Sequence, residues 1–219
     1  MKKKYLYNDK VFSDIKTEEE AYWLGFIMAD GHNYKNKRLR VDIKDNNHLE
    51  KLSHLIYPNK DKPIQSRDLG YGNIYMFNCS VVKIVENLNR YGVVPNKSKK
   101  VKLPVLKNDM YRHFIRGLYD GDGSLNYTMA KNSPNYRRYN YSIVGNYDLI
   151  EGVRYLISKY VDVNLKVYEM KSIHRISKKG NKSILSILEW MYKDSTIFLE
   201  RKHEKYIDLI NYYKKKGGK

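Results

Sequence analysis

Two aspartates stand at matched positions in this chain, each followed by glycine: Asp30-Gly31 and Asp122-Gly123. They close the stretches Tyr22-Trp23-Leu24-Gly25-Phe26-Ile27-Met28-Ala29-Asp30-Gly31 and Phe114-Ile115-Arg116-Gly117-Leu118-Tyr119-Asp120-Gly121-Asp122-Gly123, which align without gaps. Asp-Gly is where a helix stops, because glycine enters the left-handed C′ conformation without a Cβ penalty. That places both aspartates at helix C-termini, where the macrodipole is already negative and a carboxylate is disfavoured. Two such acids brought together need a counter-charge, and a hard divalent cation with oxygen ligands is the natural one.

Bringing them together is a task for the helices. Gly25 and Ala29 in the first copy, and Gly117 and Gly121 in the second, are four residues apart, so each helix carries a strip without bulky side chains on one face. Two such strips let helix backbones approach closely. Thr17-Glu18-Glu19-Glu20 is a capping-box pattern, so the first helix is expected over Thr17–Asp30. The second is expected from Asn108 or Asp109 to Asp122. The copies differ at two places: Met28 stands opposite Asp120, and Leu24 opposite Arg116. Arg116 therefore either faces solvent or pairs with an acid.

Similar elements follow each helix. His32–Lys35 reads as a strand, Asn36-Lys37 as a turn, and Arg38–Lys44 as a second strand. In it Leu39, Val41 and Ile43 alternate with Arg38, Arg40, Asp42 and Lys44, one face for the core and one charged. A helix from Asn46 or Asn47 to Ile56 carries Leu49, Leu52, Leu55 and Ile56 at amphipathic spacing. Pro58 and Pro63 bracket a loop, Ile64–Asp68 and Ile74–Cys79 form a hairpin, and a helix from Ser80 stops at Gly92. In the second half the order is strand Ser124–Tyr127, a longer loop through Pro134, strand Arg138–Ile143, helix Tyr147–Tyr160, hairpin Leu165–Met170 with Ile173–Ser177, and helix Ser183–Tyr192. A last helix spans Glu200–Tyr213. The aspartates differ by 122 − 30 = 92 positions, whereas Ile43-x-x-Asn46-x-x-Leu49 matches Ile143-x-x-Asn146-x-x-Leu149 with 143 − 43 = 100. The extra residues therefore belong to the Asn126–Arg138 stretch, where a loop between strands would tolerate them.

The organisation expected is an N-terminal extension (1–16), a first half (17–100), a linker (101–107), a second half (108–213) and a disordered basic tail (214–219). Met1-Lys2-Lys3-Lys4 adds a short basic run at the start. Each half has the order α-β-β-α-β-β-α, an α+β tandem repeat with pseudo-twofold symmetry. Lys and Arg total 42 against 24 Asp and Glu, a net charge of +18 that points to a polyanionic partner. The single Cys79 excludes an internal disulfide and reads as a small apolar or rim residue. With no signal-peptide segment and no apolar run long enough to span a bilayer, an intracellular location and no membrane partner are expected. No zinc spacing and no Walker loop occurs.

The paired motifs resemble those of the LAGLIDADG homing endonucleases, in the single-chain form with two motifs. The resemblance implies two antiparallel sheets forming a saddle along double-stranded DNA, a monomer, a long asymmetric target site, and cleavage of one phosphodiester per strand across the minor groove with Mg2+ or Mn2+. It implies that Asp30 and Asp122, with the adjoining Gly31 and Gly123, hold the metal. It further implies that Lys97, in Pro95-Asn96-Lys97-Ser98, and Lys202, in Leu199-Glu200-Arg201-Lys202, are the active-site lysines. Asp45 and Gly145 align to a water-organising position, which Gly145 cannot fill. The charged strand faces supply side chains suited to base edges and phosphates: Arg38, Arg40, Asp42, Lys44, Gln65 and Arg67 in one half, and Arg138, Asn140, Ser142, Lys166 and Glu169 in the other. His32 is expected on the surface or at a phosphate, because the second copy has Ser124 there. Such enzymes are encoded by mobile introns or inteins, and without a splicing segment the intron-encoded or free-standing form is expected here. The rival is the same fold binding nucleic acid without cutting it, as an RNA maturase or transcription regulator. Two acids facing a polyanion serve a nuclease and not a binder.

Overall fold

Thr17 caps the first helix as its residue type requires, its hydroxyl accepting the Glu20 N–H at 3.2 Å. The Glu20 carboxylate folds back to accept from the Thr17 hydroxyl at 3.2 Å and from the Lys16 and Phe12 amides at 3.3 Å. In the computed structural model, which describes residues 5–59, 62–131 and 133–217, the chain forms α1 (Glu18–Asp30), β1 (Gly31–Tyr34), β2 (Arg38–Ile43), α2 (Asn46–Ile56), β3 (Gln65–Asp68), β4 (Asn73–Cys79) and α3 (Val82–Arg90). The order then repeats as α4 (Met110–Asp122), β5 (Gly123–Ala130), β6 (Ser133–Gly145), α5 (Tyr147–Val161), β7 (Lys166–Glu169), β8 (His174–Lys179) and α6 (Asn181–Tyr192), followed by α7 (Glu200–Lys215). The basic run at residues 1–4, the loop residues Lys60 and Asp61, and Gly218 and Lys219 lie outside the described residues. Lys214 and Lys215, expected in a disordered tail, extend α7.

Helices α1 and α4 are buried along most of their length and lie against each other. A Cβ on Gly25 would press into the carbonyl of Phe114 and lie 2.8 Å from the Leu118 nitrogen. One on Gly117 would press into the carbonyl of Tyr22 and lie 2.9 Å from the Phe26 nitrogen, and one on Gly121 would overlap the Cβ of Ala29. The small-residue strip is thus a contact of backbone on backbone.

Each half contributes a four-stranded antiparallel sheet, in the orders β1-β2-β4-β3 and β5-β6-β8-β7. The alternation read in β2 holds, with Leu39, Val41 and Ile43 buried beneath the helices alongside Phe77 and Cys79. In β6 the inward residues are Tyr139, Tyr141 and Ile143. Cys79 is a core residue rather than a rim one, its thiol accepting the Tyr57 hydroxyl at 3.6 Å and pushed up in pKa by burial.

Two expectations need correction. Gly31 and Gly123 are extended, with φ of −75° and −93°, because each begins a strand directly. Glycine is required there for space: a Cβ on Gly31 would lie 2.5 Å from the Ile27 carbonyl, and one on Gly123 would run into the ring and carbonyl of Tyr119. Within the Asn126–Arg138 stretch the described residues form paired strands and not a loop, Tyr127 pairing with Tyr139, Thr128 with Arg138 and Met129 with Arg137, while Asn132 lies outside the described residues. The inner side of these strands is held by α7, where Asp208 accepts from Arg137 at 3.0 Å and from the Tyr139 hydroxyl at 2.6 Å. Of the two settings expected for Arg116, the structure has the pairing with an acid: the side chain is fully buried, pairs with Glu18 at 2.6 Å, and donates to the carbonyls of Met191 at 2.7 Å and Ile197 at 2.9 Å.

Candidate active site and nucleic-acid face

The strip brings the C-termini of α1 and α4 side by side, and Asp30 and Asp122 with them. The Asp30 carboxylate lies 3.3 Å from where a Cβ on Gly121 would stand. Both expected lysines are buried at these helix ends, Lys97 at 7% and Lys202 at 6% exposure. Lys97 enters from a 3-10 turn, Lys97–Lys99, that follows Asn96 in the left-handed region, and its ammonium donates to the Ala29 carbonyl at 3.0 Å. Lys202 enters from the first turn of α7 and donates to the carbonyls of Tyr119, at 3.3 Å, and Gly123. Lys97 thereby serves a carbonyl of the last turn of α1, Lys202 joins the Gly123 N–H on the Tyr119 carbonyl, and each ammonium offsets the negative end of a helix dipole.

The counter-charge is nevertheless incomplete. Asp122 is raised to about 6 by burial and by the neighbouring Asp30, against the opposing pull of Lys97 and Lys202. Asp30 keeps an exposed edge, yet the protein around it raises its pKa despite Lys97, Lys202 and Arg201. Burial lowers Lys97, and it lowers Lys202 to about 8 against the pull of Asp120 and Asp30. Among the described residues no group of three or more His, Cys, Asp or Glu side chains is set to hold a metal. Two carboxylates that repel each other, with open water on one side, fit a cation such as Mg2+, which keeps several waters and takes few protein ligands. The Gly123 carbonyl is already engaged by Lys202, which leaves the carboxylate as the donor on that side.

Asp45 accepts from Arg201 at 3.1 Å, which ties the end of β2 in the first half to α7 of the second. Its counterpart Gly145 pairs with His174 at the end of β6. His32 is exposed and lies opposite Arg40 across the β1–β2 ladder.

The outward sheet faces carry most of the predicted contact residues. In the first half Arg38, Arg40 and Asp42 alternate with the core residues, Gln65 and Arg67 lie on the exposed strand β3, and Lys44 is exposed just past β2. Arg40 and Asp42 pair with each other at 2.7 Å. In the second half Arg138, Asn140 and Ser142 point outward, Ser177 donating to Asn140 at 2.9 Å, and Lys166 joins them through its register with Ser177. Glu169, three residues on, falls on the opposite side of the pleat and does not extend this face. The register adds residues that were not singled out: Arg175 and Lys179 on β8, Tyr168 on β7, and Asn78 on β4. The period of two in His174-Arg175-Ile176-Ser177-Lys178-Lys179, with Ile176 buried, is the signal that would have found the first two.

No family model matches the chain. A curated relative, the replication factor C small subunit of Methanocaldococcus jannaschii, is 28% identical over 116 residues, which are 49% of this chain and 6% of that protein. The LAGLIDADG meganuclease I-CpaMI, solved bound to uncleaved DNA, aligns with a TM-score of 0.61 at 13% identity, over 90% of this chain and 92% of that one. Full-length WhiA from Thermatoga maritima aligns with a TM-score of 0.55 at 18% identity, over 93% of this chain and 64% of that one. Among the described residues, the seven α-helices and two four-stranded sheets, with their paired central helices, have the LAGLIDADG tandem-repeat fold.

Proposed function

We propose that this chain is a site-specific double-strand DNA endonuclease that hydrolyses one phosphodiester per strand across the minor groove, acting as a monomer on a long asymmetric site. The observation that carries the reading is the pairing, at each central helix end, of a carboxylate with a buried lysine that the helix carbonyls hold in place. A purely binding surface gains nothing from two carboxylates facing a polyanion, and burying two lysines beside them is costly. The outward faces of the two sheets differ residue by residue, which suits an asymmetric target.

Asp30 and Asp122 would hold Mg2+ or Mn2+. A divalent cation supplies charge stabilisation on the phosphoryl oxygens and lowers the pKa of a bound water. The chain's own residues do the rest. The sheet faces seat the duplex and fix its register through Arg38, Arg40, Lys44, Arg67, Arg138 and Lys166. Lys97 and Lys202 present ammonium groups to the negative charge that builds up during attack on phosphorus, and because carbonyls already orient them they need no rearrangement. Lys202 keeps its proton at pH 7 and loses it as pH rises through about 8, so the charge it offers fades on the alkaline side.

Incubation of the protein with duplex DNA from its own genomic surroundings and Mg2+ tests the reading. The expected product is one discrete double-strand break. Sequence-specific binding with no cleavage would favour the non-cutting use of the fold. Binding should weaken by about 10³ or more between 50 and 200 mM salt if six or more phosphates are engaged, and a nearly flat salt response would point to a protein partner instead.

A further inference from the structure

Each active-site lysine is borne on a short segment that must be fixed to its own half, and the two halves fix it by different side chains. In the first half the anchor is on a strand. Asn33 of β1, 4% exposed, donates its amide N–H to the Val93 carbonyl at 2.7 Å, four residues before Lys97, and its amide oxygen accepts from the Asn36 nitrogen at 2.9 Å. The matching strand position in the second half is Leu125, which has no polar group to offer.

There the anchor moves to the helix. Asp120 is fully buried on α4, and its carboxylate accepts from the Leu199 N–H at 2.7 Å, the Tyr22 hydroxyl at 2.9 Å and the Tyr192 hydroxyl at 3.2 Å. The Leu199 carbonyl in turn accepts the Lys202 and His203 amides at 2.9 and 3.1 Å, which opens α7. The bond to Leu199 therefore sets the point from which Lys202 reaches the carbonyls of Tyr119 and Gly123. The matching position on α1 is Met28, which has no such bond to give.

We propose that Asn33 and Asp120 are positioning residues, Asn33 for Lys97 and Asp120 for Lys202, so that each governs the cleavage rate at one strand. This rests on the endonuclease reading above. Both residues are buried away from the surface that would meet DNA, and each acts through a backbone group three or four positions before a lysine. A displaced lysine costs rate where it serves and not at the other strand.

Strand-resolved single-turnover cleavage tests the proposal. Asp120→Ala should slow the strand that Lys202→Met slows, by about 10- to 100-fold relative to the other, and Asn33→Ala should slow the strand that Lys97→Met slows. The double variant Asp120→Ala/Lys202→Met should be no slower than Lys202→Met alone, because the two act as one unit. Asp120→Asn retains an acceptor oxygen for Leu199 and should recover most of the rate. Tyr22→Phe, which removes a different bond to the same carboxylate, should leave the ratio of strand rates unchanged. Equal slowing of both strands by Asp120→Ala, or additive losses in the double variant, would overturn the proposal. If Asp120→Ala does not fold, Asn33→Ala and its double variant with Lys97→Met decide the question from the first half. If the wild-type protein does not cut DNA, the endonuclease reading falls, and hydrogen exchange judges the anchors separately. The Lys202 and His203 amides should lose protection in Asp120→Asn by less than in Asp120→Ala, and unchanged protection in both variants would refute the anchoring.

Discussion

Set side by side, the two halves share what lies at their common helix interface and differ in what surrounds it. Gly25 lies against the carbonyl of Phe114, and Gly117 lies against that of Tyr22. Since 22 + 92 = 114 and 25 + 92 = 117, the two contacts are the same contact seen from either side of a pseudo-twofold axis. The lysines at the helix ends repeat as well. Away from the axis the halves part: the Arg116 position holds Leu24 in the first half, the β5–β6 hairpin outgrows β1–β2, and the lysine anchors are an amide on a strand and a carboxylate on a helix. The lesson is that symmetry is required where two backbones meet and the acids must converge, because a Cβ on either side separates both. Elsewhere the duplicated chain is free to solve the same problem twice with different residues.

The largest effect should come from an asymmetric element. Glu18→Ala leaves the Arg116 guanidinium buried without its carboxylate, and should cost about 3 to 5 kcal/mol, read by denaturant or thermal unfolding. Leu24→Ala, at the matching place on α1, makes only a cavity and should cost about 2 to 4 kcal/mol. Next, Gly25→Ala and Gly117→Ala should each destabilise by about 2 to 3 kcal/mol and by nearly equal amounts, because each methyl meets a carbonyl on the partner helix. Both should slow cleavage of both strands together. An unshifted melting temperature for either, or a gain from helix propensity as at an exposed glycine, would break the symmetry claim.

A smaller effect concerns pH. The folded Asp122 titrates at about 6, above its ordinary 3.8, so the folded state holds the proton more tightly than the unfolded chain does. Wild-type stability therefore loses this contribution as pH rises from about 4 to about 6. Without divalent metal, Asp122→Asn should be more stable than wild type by about 1 to 2 kcal/mol at pH 7, partial exposure holding it below the full value of the shift. The gap should close below pH 4, and a gap that persists there would refute the electrostatic origin.

Much of this was legible in the residues themselves. Thr17, the Gly25/Ala29 and Gly117/Gly121 strips, and the alternation in Arg38–Ile43 each act through local geometry, and the structure has all three. The conformation of Gly31 and Gly123 was not legible, because an Asp-Gly helix end looks alike whether the glycine turns left-handed or starts a strand; the decision falls to the ring of Tyr119 and the carbonyl of Ile27. The extent of β5–β6 was hidden for a similar reason. Arg137 and Tyr139 are held in a strand by Asp208, about seventy residues away, and strand formation depends on such partners more than on propensity. Asp120 stood out only as a departure from the repeat. Its partners Tyr22, Tyr192 and Leu199 come from α1, α6 and the link before α7, and no spacing in the sequence connects them.

The central claim is that Asp30 and Asp122 form one metal-dependent centre that cuts both strands. Its most direct test is cleavage of the cognate duplex in Mg2+ by wild type, Asp30→Asn and Asp122→Asn, with affinity measured on the same DNA. The account predicts a double-strand break by the wild-type protein, loss of double-strand cutting by about 10³ or more in either variant, and binding that changes by no more than a few-fold. Full double-strand cleavage by either variant would contradict it.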